Sequence, residues 1–437
     1  MLKGFQVKEL NFKPAKTLLI KNGRLVDPST NLDQKVDILV RSGKIEKIGN
    51  DLNADKTEVL DATGWVVFPG FFDMHAHLRE PGQEDQETIE SGCAAAIAGG
   101  FTGLATMPDT HPTTDTRSVV EFILREAGKT MADVTPVAAI TKNRRGEELA
   151  EMVELFAAGA VAFSDAERSL GNIRILRHAL DYARMFAVPL IDVCEDAALA
   201  GEGLMNEGVM STRLGMHGIP NVAEDVVVSR DIHLAEYTGT PVHLAKISTT
   251  RAVALVRDAK KRGVKITCDV TPHHLILTEN DLVTYNTNFK VKPPLRTQAD
   301  CNALIAGLKD DTIDAISTDH SPHAPEEKEV EILVAPFGST GLETAFPALY
   351  SHLVKTNRLS LERILKKLIS GPRNILKQPV PALREGEAAN LSMWDLEAKR
   401  TFSAESFYSR SRNAIFLEKE LSGVVKAVLN KGKIWQP

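Results

Sequence analysis

The hydrophobic pattern separates the middle of the chain from its two ends. In the middle, short apolar runs alternate with longer segments of helical periodicity. The apolar runs cover residues 66–75, 102–107, 135–140, 160–163, 188–193, 241–246, 264–270 and 314–319. Strand-like runs alternating with helices are typical of parallel β/α units, and eight such units close into a barrel. The pattern therefore predicts an α/β fold with a (β/α)8 TIM-like barrel over residues 69–379.

The two ends of the chain show short strands and turns instead. An apolar run near the start is interrupted by Asn22-Gly23, a dipeptide typical of a two-residue hairpin turn. Short apolar runs separated by turn residues return over residues 389–433. Because both ends are β-rich, the simplest packing puts them together. We expect a small β-sandwich domain that is formed by residues 1–68 with 380–437.

Composition excludes several classes of function. The chain has 437 residues, of which 43% are hydrophobic and 25% charged, and its net charge is -6. This balance does not suggest a nucleic-acid partner, and no apolar run reaches the roughly 18 residues of a membrane span. The four cysteines are far apart in the sequence, which favours reduced thiols. We expect a cytoplasmic protein without a nucleic-acid or membrane partner.

Polar residues follow three of the apolar runs at the predicted barrel mouth. His75 and His77 are two residues apart, so on a strand their side chains point to the same side. Two neutral imidazoles placed in this way are good zinc ligands. Asp165 follows the fourth run and Asp319 ends the eighth, and a buried carboxylate there is costly unless it is paired or binds a metal. Helix N-capping is the alternative interpretation of both aspartates.

Four segments together resemble type I dihydroorotases of the metal-dependent amidohydrolase superfamily. They are His75-Ala76-His77-Leu78-Arg79-Glu80-Pro81-Gly82, Met107-Pro108-Asp109-Thr110-His111-Pro112, Pro293-Pro294-Leu295-Arg296 and Thr318-Asp319-His320-Ser321-Pro322-His323. Their order and spacing match the family over nearly the whole chain. The resemblance implies a barrel with a small β-sandwich, a homodimer, and the reversible cyclisation of N-carbamoyl-L-aspartate to dihydroorotate in pyrimidine biosynthesis.

The resemblance also implies roles for individual residues. In the family, positions that match His75, His77 and Asp319 hold one metal ion, and a carboxylate at the position of Asp165 can bridge to a second ion. The residue at the position of Asp319 also carries the proton. The substrate carboxylate is held at positions that here are Arg79, Asp109 and His323.

Four positions depart from the family pattern. Val193 and Lys246 stand where the second metal has histidine ligands, and neither valine nor protonated lysine can coordinate a metal. Asp109 and Lys292 stand where the family has asparagine. An aspartate about 4 Å from a substrate carboxylate costs on the order of 4 kcal/mol. We expect Lys292 to pair with Asp109, and Lys246 to pair with Asp165 in place of the second metal.

Three functions remain open from the sequence. Because ligands are missing, the leading hypothesis is a pseudoenzyme of the dihydroorotase family, with lost or weak catalysis, retained as a partner of aspartate transcarbamoylase. The alternative is an active dihydroorotase with one zinc ion. A further alternative is a cyclic amidohydrolase for a neutral or cationic ring amide. The sequence predicts one zinc ion at most, or none.

Overall fold

The computed structural model of the chain describes residues 8–53, 57–186 and 188–437. Residues 1–7 and 54–56 of the predicted β-sandwich domain lie outside the described residues. In chain order the strands are β1 (Phe12–Pro14), β2 (Thr17–Asp27), β3 (Leu32–Arg41), β4 (Lys44–Gly49), β5 (Glu58–Asp61), β6 (Val66–Pro69), β7 (Phe71–Ala76), β8 (Phe101–Thr106), β9 (Asp133–Ala138), β10 (Ala162–Ser164), β11 (Leu190–Val193), β12 (Met205–Asn206), β13 (Gly218–Ile219), β14 (Val242–Ala245), β15 (Ile266–Val270), β16 (Ala315–Ile316), β17 (Leu391–Thr401), β18 (Glu420–Asn430) and β19 (Lys433–Trp435).

The helices lie between the strands of the middle part and pack on their outer faces. They are α1 (Ile89–Ala98), α2 (Arg117–Ala127), α3 (Met152–Ala158), α4 (Ile173–Ala183), α5 (Ala197–Ala200), α6 (Val209–Leu214), α7 (Val222–Thr238), α8 (Thr250–Lys261), α9 (Pro272–Ile276), α10 (Gln298–Lys309), α11 (Pro325–Lys328), α12 (Ala345–Leu349) and α13 (Leu361–Ile375). Among the described helices, none is both long and apolar enough to cross a membrane.

Eight parallel strands form the barrel in the order β16-β15-β14-β11-β10-β9-β8-β7. The first and last strands meet where Ala76 pairs with His320, and the His77 N–H donates to the His320 carbonyl at 2.9 Å. Each of the eight apolar runs of the sequence contains or overlaps one of these strands. The (β/α)8 barrel predicted from the hydrophobic pattern is therefore confirmed.

The barrel interior is filled by apolar side chains from alternate strand positions. Phe72, Met74, Val137, Ile191 and Val193 belong to one buried cluster inside the barrel. Burying side chains of this size stabilises the fold by about 1.5–3 kcal/mol each. The interior is thus a packed core that includes a buried polar network, in which His243 lies 2.9 Å from Thr267 and 3.2 Å from Asp269. Further polar side chains collect at the carboxyl ends of the strands.

Strands from both ends of the chain form a second sheet in the order β1-β19-β18-β17-β6-β2-β3-β4, with β5 pairing with β2. This is the predicted β-sandwich domain built from the two termini. The hairpin turn expected at Asn22-Gly23 is wrong, because β2 runs through both residues. Asn22 has a φ of 63°, and the pairing register shifts between Ile20 and Gly23. The positive φ is absorbed by a bulge in a continuous strand.

The segment 402–419 crosses from the small domain to the barrel mouth. The buried carboxylate of Glu343 accepts hydrogen bonds from the N–H groups of Tyr408 and Ser409, both with distances of 2.9–3.0 Å to Oε1. The Asn413 side chain donates to the carbonyl of Ser321 at 3.0 Å. This crossing segment therefore supports the loops that follow β7 and β16.

Candidate metal centre

Four side chains at the barrel mouth converge on one point. One ligand atom from each of His75, His77, Glu167 and Asp319 lies within 4.8 Å of the others. Glu167 Oε1 is 3.3 Å from Nε2 of both histidines, and His75 Nε2 is 3.9 Å from Asp319 Oδ1. The histidines and Asp319 are buried, while the Glu167 side chain is 33% exposed. The cluster is thus buried on the side of the histidines and Asp319, and it reaches solvent at Glu167.

The strand ends explain why these side chains meet. His75 lies in β7 and His77 follows it directly, so both imidazoles point to the barrel axis. Asp319 and Lys246 follow β16 and β14 with positive φ values of 52° and 57°. Left-handed backbone is uncommon for residues other than glycine, and it is found often at functional sites.

Glu167 is the site residue that the sequence interpretation missed. It lies two residues after Asp165, which was expected to face the metal. The Asp165 carboxylate instead accepts hydrogen bonds from the N–H groups of Ile140 and Thr141, at 2.9 and 3.0 Å, and from the Thr141 hydroxyl at 2.5 Å. Asp165 therefore joins two loops, and Glu167 reaches the cluster. A second acidic residue in the same strand-end loop was the available signal.

Lys246 lies against the cluster on the side where the family has its second metal. Its ammonium donates to both carboxylate oxygens of Glu167, at 2.8 and 3.0 Å, and to Asp319 Oδ1 at 2.8 Å. The expected pair with Asp165 is not formed. Burial lowers the pKa of Lys246, but Asp319 and Glu167 outweigh it and raise the pKa above the ordinary value. The side chain is therefore a permanent cation.

Val193 is the other altered ligand position on this side of the mouth. It is buried in the apolar cluster of the barrel interior, together with Ile191 and Ala245. An isopropyl group has no lone pair to offer. The half of the mouth formed by β11 and β14 therefore supplies a positive charge and an apolar wall.

Asp109 orients one of the histidines. Its Oδ1 is 2.7 Å from His77 Nδ1, and its Oδ2 accepts a hydrogen bond from Arg79 Nη1 at 2.8 Å. Burial raises the pKa of Asp109, but the charges of His77 and Arg79 outweigh it and hold the pKa well below its usual range. An ionised carboxylate at Nδ1 keeps the proton there and turns Nε2 towards the cluster, as in carboxylate–histidine–metal triads.

Lys292 does not neutralise Asp109 as we expected. Its ammonium pairs with Glu195 Oε1 at 2.6 Å and lies 5.5 Å from the centre of the Phe337 ring. Asp109 is compensated by Arg79 and His77 instead. The two charge changes at Asp109 and Lys292 therefore belong to separate ion pairs.

His323 lies near Arg79 but presents an acceptor. Its Nε2 is 2.8 Å from the Phe337 carbonyl, so the ring proton is on Nε2. Burial, Arg79 and Lys328 lower the pKa of His323 to about 3. The ring is therefore neutral, and Nδ1 is buried without a hydrogen-bond partner among the described residues.

The cluster fits one divalent metal ion. Histidine nitrogens and carboxylate oxygens are zinc ligands, and catalytic zinc sites use three such protein ligands and leave a position for water or substrate. His77 Nε2 is buried and faces Glu167 Oε1 at 3.3 Å, without the geometry of a hydrogen bond to any described residue. Burial lowers the pKa of His77, but Asp109 and Glu167 outweigh it and raise the pKa to about 9, so a metal ion would replace the Nε2 proton while Asp109 keeps the proton on Nδ1.

Together the barrel and the terminal β-sandwich form the fold of the amidohydrolase class. Solved structures agree on the fold. An L-hydantoinase (dihydropyrimidinase) from Arthrobacter aurescens superposes with a TM-score of 0.85 and 24% identity, over 95% of both chains. A D-hydantoinase (dihydropyrimidinase) from Thermus sp. has a TM-score of 0.80 and 25% identity, over 95% of this chain and 94% of its own.

Sequence relatives narrow the class to one family. The family model described as Dihydro-orotase-like matches residues 64–252. A dihydroorotase of Pelobacter propionicus is 44% identical over 95% of this chain and 99% of its own length. A dihydroorotase of Acetivibrio thermocellus is 43% identical over 95% of this chain and 98% of its own length. The chain belongs to the dihydroorotase family.

Proposed function

We propose that the chain is an active dihydroorotase that uses one zinc ion and interconverts N-carbamoyl-L-aspartate and dihydroorotate. The observation that carries this proposal is the cluster of His75, His77, Glu167 and Asp319, with His77 oriented by Asp109. The high identity to proteins named dihydroorotase supports the choice of substrate.

A metal ion in this cluster would supply a Lewis acid for the carbonyl of the scissile amide. Asp319 is the residue suited to move the proton. Burial raises the pKa of Asp319, Lys246 opposes the increase, and the neighbouring carboxylate of Glu167 adds to it. A carboxylate with a raised pKa can accept a proton during hydrolysis and return it to the leaving nitrogen.

Lys246 would act as the second positive centre. The charges of Glu167 and Asp319 are opposed by the ammonium and by the two charges of a divalent ion, which leaves one positive charge. A site of this sign favours anionic substrates such as N-carbamoyl-L-aspartate. The ammonium supplies charge without coordination, so one metal ion is sufficient for the remaining donor set.

Metal analysis with turnover assays tests the proposal. Protein purified without chelators should hold about one zinc per chain and should act on dihydroorotate and on N-carbamoyl-L-aspartate. A chelator should abolish both reactions, and added zinc should restore them. The exposed His178 gives a control variant, His178→Gln, that should keep metal and activity. Protein that binds zinc but turns over neither compound would contradict the proposal.

The second candidate is the pseudoenzyme that partners aspartate transcarbamoylase. The observation that favours it is the contact of Lys246 with both Glu167 and Asp319, which balances the carboxylates without a metal. This candidate expects a complex with aspartate transcarbamoylase in sizing experiments and no turnover with or without that partner. Turnover by the isolated chain would reject it.

The third candidate, hydrolysis of a neutral or cationic ring amide, is favoured by the Asp109 carboxylate beside Arg79. Dihydrouracil is the matched probe, because it has the same ring without the carboxylate. A higher kcat/KM for dihydrouracil than for dihydroorotate would support this candidate over the first.

A further inference from the structure

Two members of the metal cluster, Asp319 and His77, meet at the main chain of His320. His320 follows Asp319 directly, and its carbonyl accepts a hydrogen bond from the His77 N–H at 2.9 Å. Asp319 has a φ of 52°, which is strained backbone for a residue with a side chain and persists only where the surroundings enforce it. A group that fixes His320 therefore fixes the position of both cluster members.

The imidazole of His320 is held at both of its nitrogens. The Gly341 N–H donates to Nδ1 at 3.2 Å, so the ring proton is on Nε2. Nε2 donates to Glu87 Oε2, at a distance of 3.2 Å. Because His320 is buried, the loss of either partner would leave a polar atom unsatisfied. One loop and one carboxylate thus set the orientation of the ring.

Glu87 joins this ring to two other parts of the molecule. It lies just before α1 and is buried, and its carboxylate accepts a hydrogen bond from the Ser91 hydroxyl of that helix. It also accepts from the Ser409 hydroxyl and from the Arg410 N–H, the latter at 2.9 Å, and both residues belong to the crossing segment. Burial raises the pKa of Glu87, but the hydrogen bonds from the histidine and the two hydroxyls outweigh it and lower the pKa, so the carboxyl is ionised.

The donors around Glu87 require a side chain that only accepts. Two hydroxyls, one main-chain N–H and the imidazole N–H all point to this one carboxylate. An ionised carboxylate has two oxygens and can accept from all of them. A neutral amide of the same shape would turn an NH2 group towards some of these donors. The Glu87 carboxylate is therefore matched to holding the ring and the crossing segment at the same time.

We propose that Glu87 is a positioning residue of the metal centre, which sets Asp319 and His77 through the ring of His320. The same carboxylate connects the crossing segment to these two residues, so the terminal β-sandwich domain helps to shape the site. The kinetic part of the inference rests on the proposed function, whereas its effect on metal binding is measurable in a chain without turnover.

Zinc affinity and the absorption spectrum of cobalt-substituted protein test the proposal. Glu87→Gln should lower the zinc affinity about tenfold, at the lower end of the range for residues that orient metal ligands. The visible bands of bound cobalt should shift, because they depend on the arrangement of the ligands. In the zinc-loaded protein kcat should fall about 10- to 100-fold while KM changes little, because the displaced groups act on the reacting atoms.

His320→Asn separates positioning through the ring from general support of the fold. This variant keeps a side-chain acceptor for the Gly341 N–H and deletes the donor to Glu87. Because both residues act through one hydrogen bond, the double variant of Glu87→Gln with His320→Asn should lose no more zinc affinity than the weaker of the two single variants. If Glu87→Gln fails to fold, His320→Asn alone should show the affinity loss and the cobalt shift.

Glu343→Gln is the matched control. Glu343 is a second buried carboxylate that holds the crossing segment, and it accepts its hydrogen bonds from the N–H groups of Tyr408 and Ser409. This variant should keep the zinc affinity and the cobalt spectrum of the wild type. Losses as large as those of Glu87→Gln would overturn the assignment. Wild-type affinity and spectrum in His320→Asn, or additive losses in the double variant, would also overturn it.

The measurements separate this inference from the proposed function. A wild type that binds zinc without turnover contradicts the proposed function alone, and the affinities and spectra then decide the role of Glu87. Full turnover in the wild type with unchanged affinity, spectrum and kcat in Glu87→Gln contradicts the inference alone. A wild type that binds neither zinc nor cobalt would reject both.

Discussion

The two halves of the barrel mouth have been built from different chemistry. The ligand half, from the ends of β7, β10 and β16, holds His75, His77, Glu167 and Asp319. The ammonium half, from the ends of β11 and β14, holds Val193 and Lys246. A metal needs lone pairs arranged in space, whereas charge balance needs only a cation nearby. The comparison teaches that a cation can balance the two carboxylates on the side of the mouth that offers no metal ligand.

The halves are not independent, because they share two carboxylates. Glu167 and Asp319 face the histidines on one side and the Lys246 ammonium on the other. Any metal in the ligand half therefore competes with the ammonium for the same oxygens. Substitutions that remove a metal ligand or the Lys246 ammonium should show how strongly each half affects metal binding and stability in the other.

Removing a ligand should give the largest effect. His77→Asn shortens the side chain and deletes the nitrogen that Asp109 aims at the cluster. We expect the zinc content to fall close to zero and kcat/KM to fall at least about a thousandfold, because one of the two imidazole ligands of the cluster is lost and the metal no longer has a fixed geometry. Elemental analysis and dihydroorotate assays check this. A variant with full zinc content would show that the cluster is not the metal site.

Removing the ammonium should destabilise the chain next. Lys246→Met leaves the buried carboxylate of Asp319 and the partly exposed carboxylate of Glu167 without their cation, and removing one partner of a buried ion pair costs about 3–5 kcal/mol. We expect this loss in urea unfolding of zinc-free protein and a partial recovery with zinc, since the metal can replace the missing charge. Lys261→Met, at an exposed lysine of α8, is the control. Equal stability of Lys246→Met and wild type would show that the ammonium does not stabilise the carboxylates of the ligand half.

Placing histidine ligands in the ammonium half tests the comparison in the other direction. Val193→His with Lys246→His supplies the two nitrogens that the family has there. We expect the zinc content of this double variant to rise from about one to about two per chain, provided that Glu167 can serve both ions. A zinc content that stays at one per chain would show that the ammonium half differs from a metal site in more than these two ligands.

The crossing segment of the small domain supports the ligand half, and Glu343 allows this support to be measured. Burial raises the pKa of Glu343 to about 7. In the unfolded chain the carboxyl ionises near pH 4.5, so stability is complete below that pH and is lost as the pH rises towards 7. Glu343→Gln removes this loss. Its stability relative to wild type should therefore increase between pH 4.5 and 7 by about 3 kcal/mol, at 1.36 kcal/mol per pKa unit.

Urea unfolding at several pH values checks the Glu343 prediction. Glu418→Gln, at an exposed glutamate of the same crossing segment, should follow the wild type at every pH. Parallel pH profiles of Glu343→Gln and wild type would mean that the Glu343 carboxyl ionises alike in the folded and unfolded chains.

Relaxing the orientation of His77 should give the smallest effect. Asp109→Asn keeps a hydrogen-bonding side chain but removes the charge that holds the Nδ1 proton. We expect zinc affinity to fall about 10- to 100-fold, the range for partners of metal-bound histidines. Competition with a coloured chelator measures the change. An unchanged affinity would show that Arg79, and not the metal, is the partner that Asp109 serves.

The fold was predictable because its signals are local. Eight apolar runs separated by helical segments are visible along the chain, and each of them overlaps a barrel strand. Asn22-Gly23 was misinterpreted because a residue with positive φ serves a bulge as well as a turn. The sequence does not show which of these two uses is made, since that depends on the pairing of β2 with β3.

The site was predictable only as far as strand ends determine it. His75, His77 and Asp319 lie at or next to the ends of barrel strands, so the topology alone brings them close together. Glu167 was missed because Asp165 was expected in its place. The Asp165 carboxylate accepts a hydrogen bond from the Thr141 hydroxyl, and the residue that reaches the cluster is Glu167, two positions later in the loop after β10. The partners of charged residues depend on side-chain packing across loops. The pairs of Lys246 and Lys292 therefore could not be deduced from the sequence.

The pairing of β6 with β17 has a consequence for the synthesis of the protein. Val66 in β6 lies opposite Trp394 in β17. The ribosome therefore makes β6 early, and its partner β17 only near the end of translation. Until then β6 has an open edge, and an open edge can pair with another chain. The crossing segment follows β17 and is made even later. The nascent chain therefore completes its sheet and its barrel mouth last, and a chain cut short before β17 should aggregate before it can bind zinc.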